Sequence, residues 1–384
     1  MADLSKQPET ILFGGPPPAP VPQDISAAHD VTTPPGATMA LGGAAPEAGL
    51  PPLPPEPDLT GTLLLDRYRL LRKLGVGGMG TVYEAEHVTI KKRCAIKILN
   101  PEYAHRGELV ERFLQEARAA SMIAHENVVE ITDFGATPTG SVFFVMEMLV
   151  GEDLAETIKR EGPLPWSRAA AITLQICRAL QAAHDKGIIH RDMKPENCFR
   201  IERSGNPDFV KVLDFGIAKV TGEDPGAARL TSTGMIFGTP TYMSPEQAQG
   251  MRVDHRADIY AVGVILYELC TGKVPFYADN FMGILTKHMF EEPPAPSAVA
   301  PQADITPEIE AVILKAMQKD RDLRFQTLRE LSDAILDVGT GAAPVDVIPE
   351  RRSRPITGAH TQFQRPSTAP PLAPATVETV APRR

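Results

Sequence analysis

Between residues 68 and 339 the apolar positions follow two different periods, one after the other. The first third runs in steps of two. Tyr68-Arg-Leu-Leu-Arg-Lys-Leu74, Thr81-Val-Tyr-Glu-Ala-Glu86 and Arg93-Cys-Ala-Ile-Lys-Ile-Leu99 predict three strands, with a glycine-rich turn from Gly75 between the first two. Val110, Phe113, Ala117 and Ala120 then recur at helical spacing, and residues 128–134 and 142–146 return to strand. Beyond Gly151 helices dominate: 153–160, about 167–186 with Ser167 as N-cap, one from Asp258, then 280–290, 307–318 and 328–338. A hairpin of 198–201 and 209–213, turning at Gly205-Asn206, interrupts them. This order predicts an α+β architecture of two lobes. A small antiparallel sheet with one long helix (about 67–149) comes first, a larger and mainly helical lobe (about 150–339) follows, and a cleft lies between them.

Composition narrows the ordered region. The 37 prolines concentrate towards the two ends, so the 384 residues do not all belong to a packed core. Residues 1–66 are rich in Pro, Ala, Gly and acidic side chains, with Lys6 the only Lys or Arg. Residues 340–384 return to Pro and Thr with Arg351, Arg352, Arg354, Arg365, Arg383 and Arg384. Both tails hold too few large apolar side chains to offset ordering entropy and are expected to be disordered arms. The formal charge of −9 gives no basis for nucleic-acid binding. Cys94, Cys177, Cys198 and Cys270 are scattered without metal-type spacing, which fits reduced core thiols. No secretory leader or bilayer-length apolar run is present, so the expected location is the cytoplasm.

The polar residues that interrupt the apolar pattern carry the chemistry. Gly75-Val76-Gly77-Gly78-Met79-Gly80-Thr81-Val82 joins two strands, whereas a dinucleotide-binding loop must open a helix. Alone it is equally a ligand-free hairpin; its bare backbone also suits a phosphate chain. Lys97 stands in a strand and Glu116 on the apolar side of a helix, where a carboxylate is costly unless paired, and Lys97 is the partner it needs. His190-Arg-Asp-Met-Lys-Pro-Glu-Asn197 crowds two carboxylates, two cations and an amide into one short segment. Asp192 is the candidate to accept or orient a hydroxyl proton, and Lys194 to neutralise a moving phosphoryl group. Asn197 and Asp214 offer hard oxygen donors to Mg²⁺. Taken singly, each of these Asp and Asn residues is better explained as a cap or turn residue.

Taken in order, Gly75 to Val82, Cys94-Ala-Ile-Lys97, Glu116, His190 to Asn197, Asp214-Phe-Gly216 and Ser244-Pro-Glu246 resemble the signature set of eukaryotic-type protein kinases, in particular their bacterial (Hanks-type) serine/threonine branch. The resemblance spans about 67–338. It implies a fold of two lobes and transfer of the γ-phosphoryl group of ATP, with Mg²⁺ or Mn²⁺, to Ser and Thr hydroxyls of proteins. It assigns Asp192 as catalytic base, Lys97 to the α- and β-phosphates with Glu116 as its partner, and Asn197 and Asp214 to the metal. Ala95 would border the adenine, Glu147-Met148-Leu149 would form the hinge, and Met146 would guard a back pocket. Glu246 would pair with Arg324, and Asp258 would brace the catalytic loop. Departures are mild: Cys94 for valine, Met193 for leucine and Ser244 for alanine remove no reacting group.

Lys194 after Asp192, with Thr239 in Gly238-Thr-Pro-Thr-Tyr, is similar to the serine/threonine-specific pattern. Between Gly216 and Ser244 lie Thr231, Ser232 and Thr233 in a polar loop. A phosphate on Thr231 or Thr233 could pair with Arg191, next to Asp192, which suggests autophosphorylation and a homodimer that performs it in trans. The expected partners are protein substrates, in intracellular signalling. The alternative is a pseudokinase scaffold that binds ATP and proteins without turnover, against which the presence of Lys97, Asp192, Asn197 and Asp214 speaks.

Overall fold

A computed structural model describes residues 58–215 and 240–339. Residues 1–57 of the first arm, the whole of the second and the loop holding Thr231, Thr233 and Thr239 lie outside the described residues.

Six antiparallel strands form the first sheet: β1 (Leu63–Leu64), β2 (Tyr68–Val76), β3 (Gly80–His87), β4 (Arg93–Leu99), β5 (Ile131–Ala136) and β6 (Val142–Glu147), in the order β1-β2-β3-β4-β6-β5. β1 was not expected. Leu64 is buried in the sheet, so the fold begins inside the segment assigned to the arm. β2 also continues through Gly75 and Val76, which pair with Val82 and Thr81, and only 77–79 turn. The hairpin closes through Gly77 N–H and the Gly80 carbonyl at 2.8 Å. Gly80 itself is required by packing: a Cβ there would lie 2.5 Å from the Ile98 carbonyl oxygen.

β4 is buried on both faces. Cys94, Ile96 and Ile98 join one apolar cluster with Tyr68 and Tyr83, while Ala95 and Leu99 join another with Phe113 of helix α1 (Gly107–Met122). Lys97 shares that second face, which is how a strand lysine comes to point at a helix. β5 starts three residues later than the pattern suggests. Residues 127–129 instead attach to the second lobe, through a parallel bridge from Val128 to Val212 and a 3.1 Å bond from Val129 N–H to the Val212 carbonyl.

The second lobe opens with β7 (Gly151–Asp153), which pairs with β8 (Cys198–Arg203) and β9 (Asn206–Val212) in a three-stranded sheet. The β8–β9 turn is Ser204-Gly205, not Gly205-Asn206: both turn residues have positive φ, 53° and 79°, and Arg203 pairs with Asn206. Asp153 caps helix α2 (Leu154–Glu161) through the Glu156 N–H at 2.9 Å. Helix α3 (Trp166–His184) begins one residue before the expected cap. Pro165 precedes it with φ of −56°, already suited to a helix, so Ser167 lies within the first turn and caps nothing. A capping box of Ser244 and Gln247 starts α4 (Pro245–Ala248).

Helix α5 (Arg256–Thr271) is the centre of this lobe, with 14 of its 16 residues buried. It packs against α3, α7 (Pro296–Val299) and α8 (Pro307–Ala316), and meets α6 (Phe281–Phe290) through Tyr260 and His288, while α9 (Leu328–Asp337) packs on α3 and α8. Asp258 lies in its first turn, buried and facing back towards the segment that opens at His190. All four cysteines are buried and unpaired. Among the described residues no helix is long and apolar enough to cross a membrane.

Candidate active site

Two carboxylates from distant parts of the chain converge on one lysine. Lys97 Nζ lies 2.8 Å from Glu116 Oε1 on α1 and 2.9 Å from Asp214 Oδ2 just past β9. The pairing with Glu116 is as the sequence suggested, and the second carboxylate is new. One cation between two acids leaves an excess negative charge. Burial and the neighbouring Asp214 push the Glu116 carboxyl up to about 8, although Lys97 pulls the other way. For Asp214 burial also favours the neutral form, but Lys97 and a hydrogen bond from Glu116 hold it below the ordinary carboxylate range. Burial disfavours the charge on Lys97, yet the two acids raise its pKa, so it stays an ammonium.

Opposite this triad the segment His190–Asn197 is held from beneath. Asp258 accepts from His190 N–H at 2.9 Å, Arg191 N–H at 2.8 Å and His184 Nε2 at 2.7 Å. Burial alone would raise the Asp258 pKa; His184 and the backbone donors keep it ionised below its ordinary value. The His190 ring donates from Nε2 to the Leu213 carbonyl at 2.9 Å and accepts at Nδ1 from Asp192 N–H at 3.3 Å, so it is the neutral tautomer. Burial lowers its pKa to match, and its ring stands 4.8 Å from that of Phe215. Arg191 and Asp214 adopt left-handed backbone, with φ of 65° and 47°. Such non-glycine strain costs about 1–3 kcal/mol and persists only when surrounding bonds over-determine it.

Asp192 and Lys194 face each other at 3.6 Å and line a recess of about 340 Å³ that opens to solvent, with Tyr242, Met243 and Gln247 on its other side. Asn197 donates from Nδ2 to the Asp192 carbonyl at 2.7 Å, which assigns its Oδ1 to the outer side. Asn197 Oδ1 and the Asp214 carboxylate are hard oxygen donors suited to a divalent cation that takes its other ligands from phosphate or water. Among the described residues no group of three His, Cys, Asp or Glu side chains gathers, so the protein alone offers no complete metal cage.

Val82, Ala95, Met146, Leu149 and Leu213 belong to one buried apolar cluster with Phe113 and Phe144, and Leu74 and Met148 pack against it. Glu147 is placed differently from the rest of the hinge. Its carboxylate accepts from Glu130 N–H at 2.8 Å and from Lys211 Nζ at 2.6 Å, which ties it to β9 and to the segment before β5. Behind Met146 a smaller recess is lined by Glu116, Ala120, Phe144, Asp214 and Phe215. Lower in the second lobe, Arg324 pairs with Glu246 through two parallel bonds of 2.8 Å, as expected.

The family model described as protein kinase domain matches residues 68–334. The chain belongs to the protein kinase family. It is 41% identical to serine/threonine-protein kinase pkn3 of Myxococcus xanthus over 318 residues, which is 83% of this chain and 58% of that protein. It is 45% identical to serine/threonine-protein kinase Pkn1 of the same organism over 268 residues, 70% of this chain and 38% of that one. The chain thus spans little more than half of the first relative and less than half of the second. The solved kinase domain of Mycobacterium tuberculosis PknI superposes with a TM-score of 0.56 at 27% identity, covering 73% of this chain and 99% of that domain. The two-lobed fold is therefore that of a protein kinase.

Sequence reasoning missed Lys211, His184, Gln247 and the Tyr242–Glu268 pair, whose phenol donates at 2.7 Å. Lys211 had a usable signal, a lysine between Val210 and Val212 in an apolar strand, the same signal that singled out Lys97. The others lie in loops or helices whose partners are far along the chain.

Proposed function

We propose that the chain is a serine/threonine protein kinase, which transfers the γ-phosphoryl group of ATP to Ser and Thr hydroxyls of protein substrates. The observation that carries this reading is Lys97, held between Glu116 and Asp214. The names of the Myxococcus relatives point the same way.

The adenine packs against the apolar cluster at Val82 and Ala95, with the main chain of Glu147, Met148 and Leu149 along its edge. The residue 75–80 hairpin lies over the phosphates with Lys97 on them. Asn197 and Asp214 hold the divalent cation, Mg²⁺ with Mn²⁺ as substitute, which neutralises phosphate charge when bound. Asp192 orients the substrate hydroxyl and takes its proton as the new oxygen–phosphorus bond forms. The bond between the γ-phosphorus and the bridging oxygen breaks, and ADP departs. Lys194, beside Asp192, offsets charge on the oxygens in transit.

In this reading Thr239 and Lys194 select a serine or threonine acceptor, and Thr231 or Thr233 receives a phosphate in trans from a second copy of the chain, in the cytoplasm. Arg191 is the intended phosphate partner. The test is incorporation of labelled phosphate from ATP with MgCl₂ or MnCl₂, with Asp192→Asn alongside. Incorporation by the wild type and its loss in the variant are expected; a wild type that binds ATP but incorporates nothing would favour the scaffold alternative. Phosphopeptide mapping and a Thr231→Ala, Thr233→Ala double variant test the loop. An autophosphorylation rate that rises with protein concentration identifies the trans reaction.

A further inference from the structure

Lys211 is a buried lysine, 7% exposed, near the end of β9 between Val210 and Val212. It touches none of the groups assigned to phosphate, metal or acceptor. Its ammonium bonds Glu147 Oε1 at 2.6 Å and the Val128 carbonyl at 3.2 Å. Glu147 Oε1 also accepts from Glu130 N–H, and Glu147 N–H in turn donates to the Glu130 carbonyl at 3.0 Å. Three segments that are distant in sequence meet here: the hinge, residues 127–130 after α1, and β9. The second and third are further tied by Val212 N–H to the Asn127 carbonyl at 2.7 Å and by Asn127 Nδ2 to the Val210 carbonyl at 2.7 Å.

A charge at this position is not a packing device. Taking an ammonium out of water costs several kcal/mol, and an aliphatic side chain between two valines would fill the strand as well or better. What the charge supplies is direction. With Lys211 in place the Glu147 carboxylate is held to β9 and to residue 130, and the main chain from Met146 to Leu149, which borders the adenine in the reading above, is fixed with it. Without it the carboxylate has one neutral donor and free access to solvent, so the hinge loses its fixed orientation.

We propose that Lys211 is a positioning residue for nucleotide binding, acting through Glu147 to preorganise the hinge. This rests on the reading of the cleft as an ATP site. The pair sets affinity for the nucleotide and leaves the transfer step to Lys97, Asp192 and Asp214.

The experiment uses the full chain with ATP and MgCl₂, measuring ATP binding by calorimetry in parallel with KM for ATP and kcat on a mixed Ser/Thr peptide pool. Lys211→Met should raise Kd and KM for ATP by about fivefold or more, the lower end of ordinary coupling between sites, with kcat changed by less than about twofold. Lys211→Arg, which keeps the cation, should recover most of the loss. Lys211→Met combined with Glu147→Gln should lose about as much as the more affected single variant, because both act through one contact. Should Lys211→Met fail to fold, Glu147→Gln carries the same comparison, since it keeps an acceptor for Glu130. Wild type that binds ATP with an affinity the Met variant shares overturns the inference and leaves the site reading intact. Wild type that binds no ATP overturns both.

Discussion

Two buried clusters of charge in this domain are built on opposite principles. Around Arg324 every account is closed: its five N–H donors meet both Glu246 oxygens and the carbonyls of Gln318, Arg256 and Lys319, at 2.7–3.0 Å. One cation faces one anion, and the side chains are 0% and 5% exposed. Around Lys97 one cation faces two carboxylates, and Asp214 keeps 30% of its side chain exposed. The first cluster is complete in itself. The second balances only while Glu116 keeps a proton, its pKa being raised to about 8, so its charge depends on what else occupies the site. Buried ion pairs are poor evidence of stability by themselves. The contrast in balance and exposure is what separates a clamp within the fold from a site awaiting a ligand.

The comparison can be broken in stages. Asp192→Asn removes the group on the acceptor side and should lower kcat by about 10³-fold with the thermal midpoint nearly unchanged, within the usual reach of a positioned acid or base. Phosphate-incorporation rates and a melting curve on the same sample check it. Lys97→Met should cost about 10²-fold in rate, as for loss of one preorganised cation, with only a small loss of stability, because the acids can take up a proton. A melting point that collapses in this variant would mean that the triad is a clamp after all.

Arg324→Met should do the reverse. Leaving Glu246 buried without its partner should cost about 3–5 kcal/mol of folding stability, read by denaturant unfolding, while activity per folded molecule survives. Strong loss of activity at full folding would erase the distinction between the two clusters.

The smallest effect concerns protons. Glu116 has a folded-state pKa raised to about 8, above the ordinary value of 4.5 for an unfolded glutamate. The folded state therefore binds the proton more tightly. The stability this contributes is complete below about pH 4.5 and is lost as pH rises through about 8. Glu116→Gln lacks this loss, so the melting-point difference, wild type minus variant, should fall across that window. A flat difference would remove Glu116 from the unbalanced triad.

Much of this domain was legible from local pattern. Strand and helix order follows from apolar periods of two and about 3.6, which depend on neighbours a few residues apart. Lys97 and Glu116 stood out because a charge on an apolar face needs a partner. The errors have the same physical origin. Ser167 had the chemistry of a cap, but Pro165 starts the helix earlier; Gly205-Asn206 had the chemistry of a turn, but register placed Ser204-Gly205 there. Residues 128 and 129 had the chemistry of a β5 strand, yet bond β9 instead.

By itself the sequence determined the order of most elements and the two-lobed α+β plan, because these rest on residue type and short spacing, and its resemblance to protein kinases supplied the candidate reacting side chains. Only the tertiary structure decided who pairs with whom. Asp214 joins Lys97, Asp258 gathers His184 and the backbone of His190 and Arg191, and Glu147 turns to Lys211, 64 residues away. A buried charge takes the partner that packing brings within hydrogen-bond reach, and that distance is a property of the folded chain rather than of spacing along it.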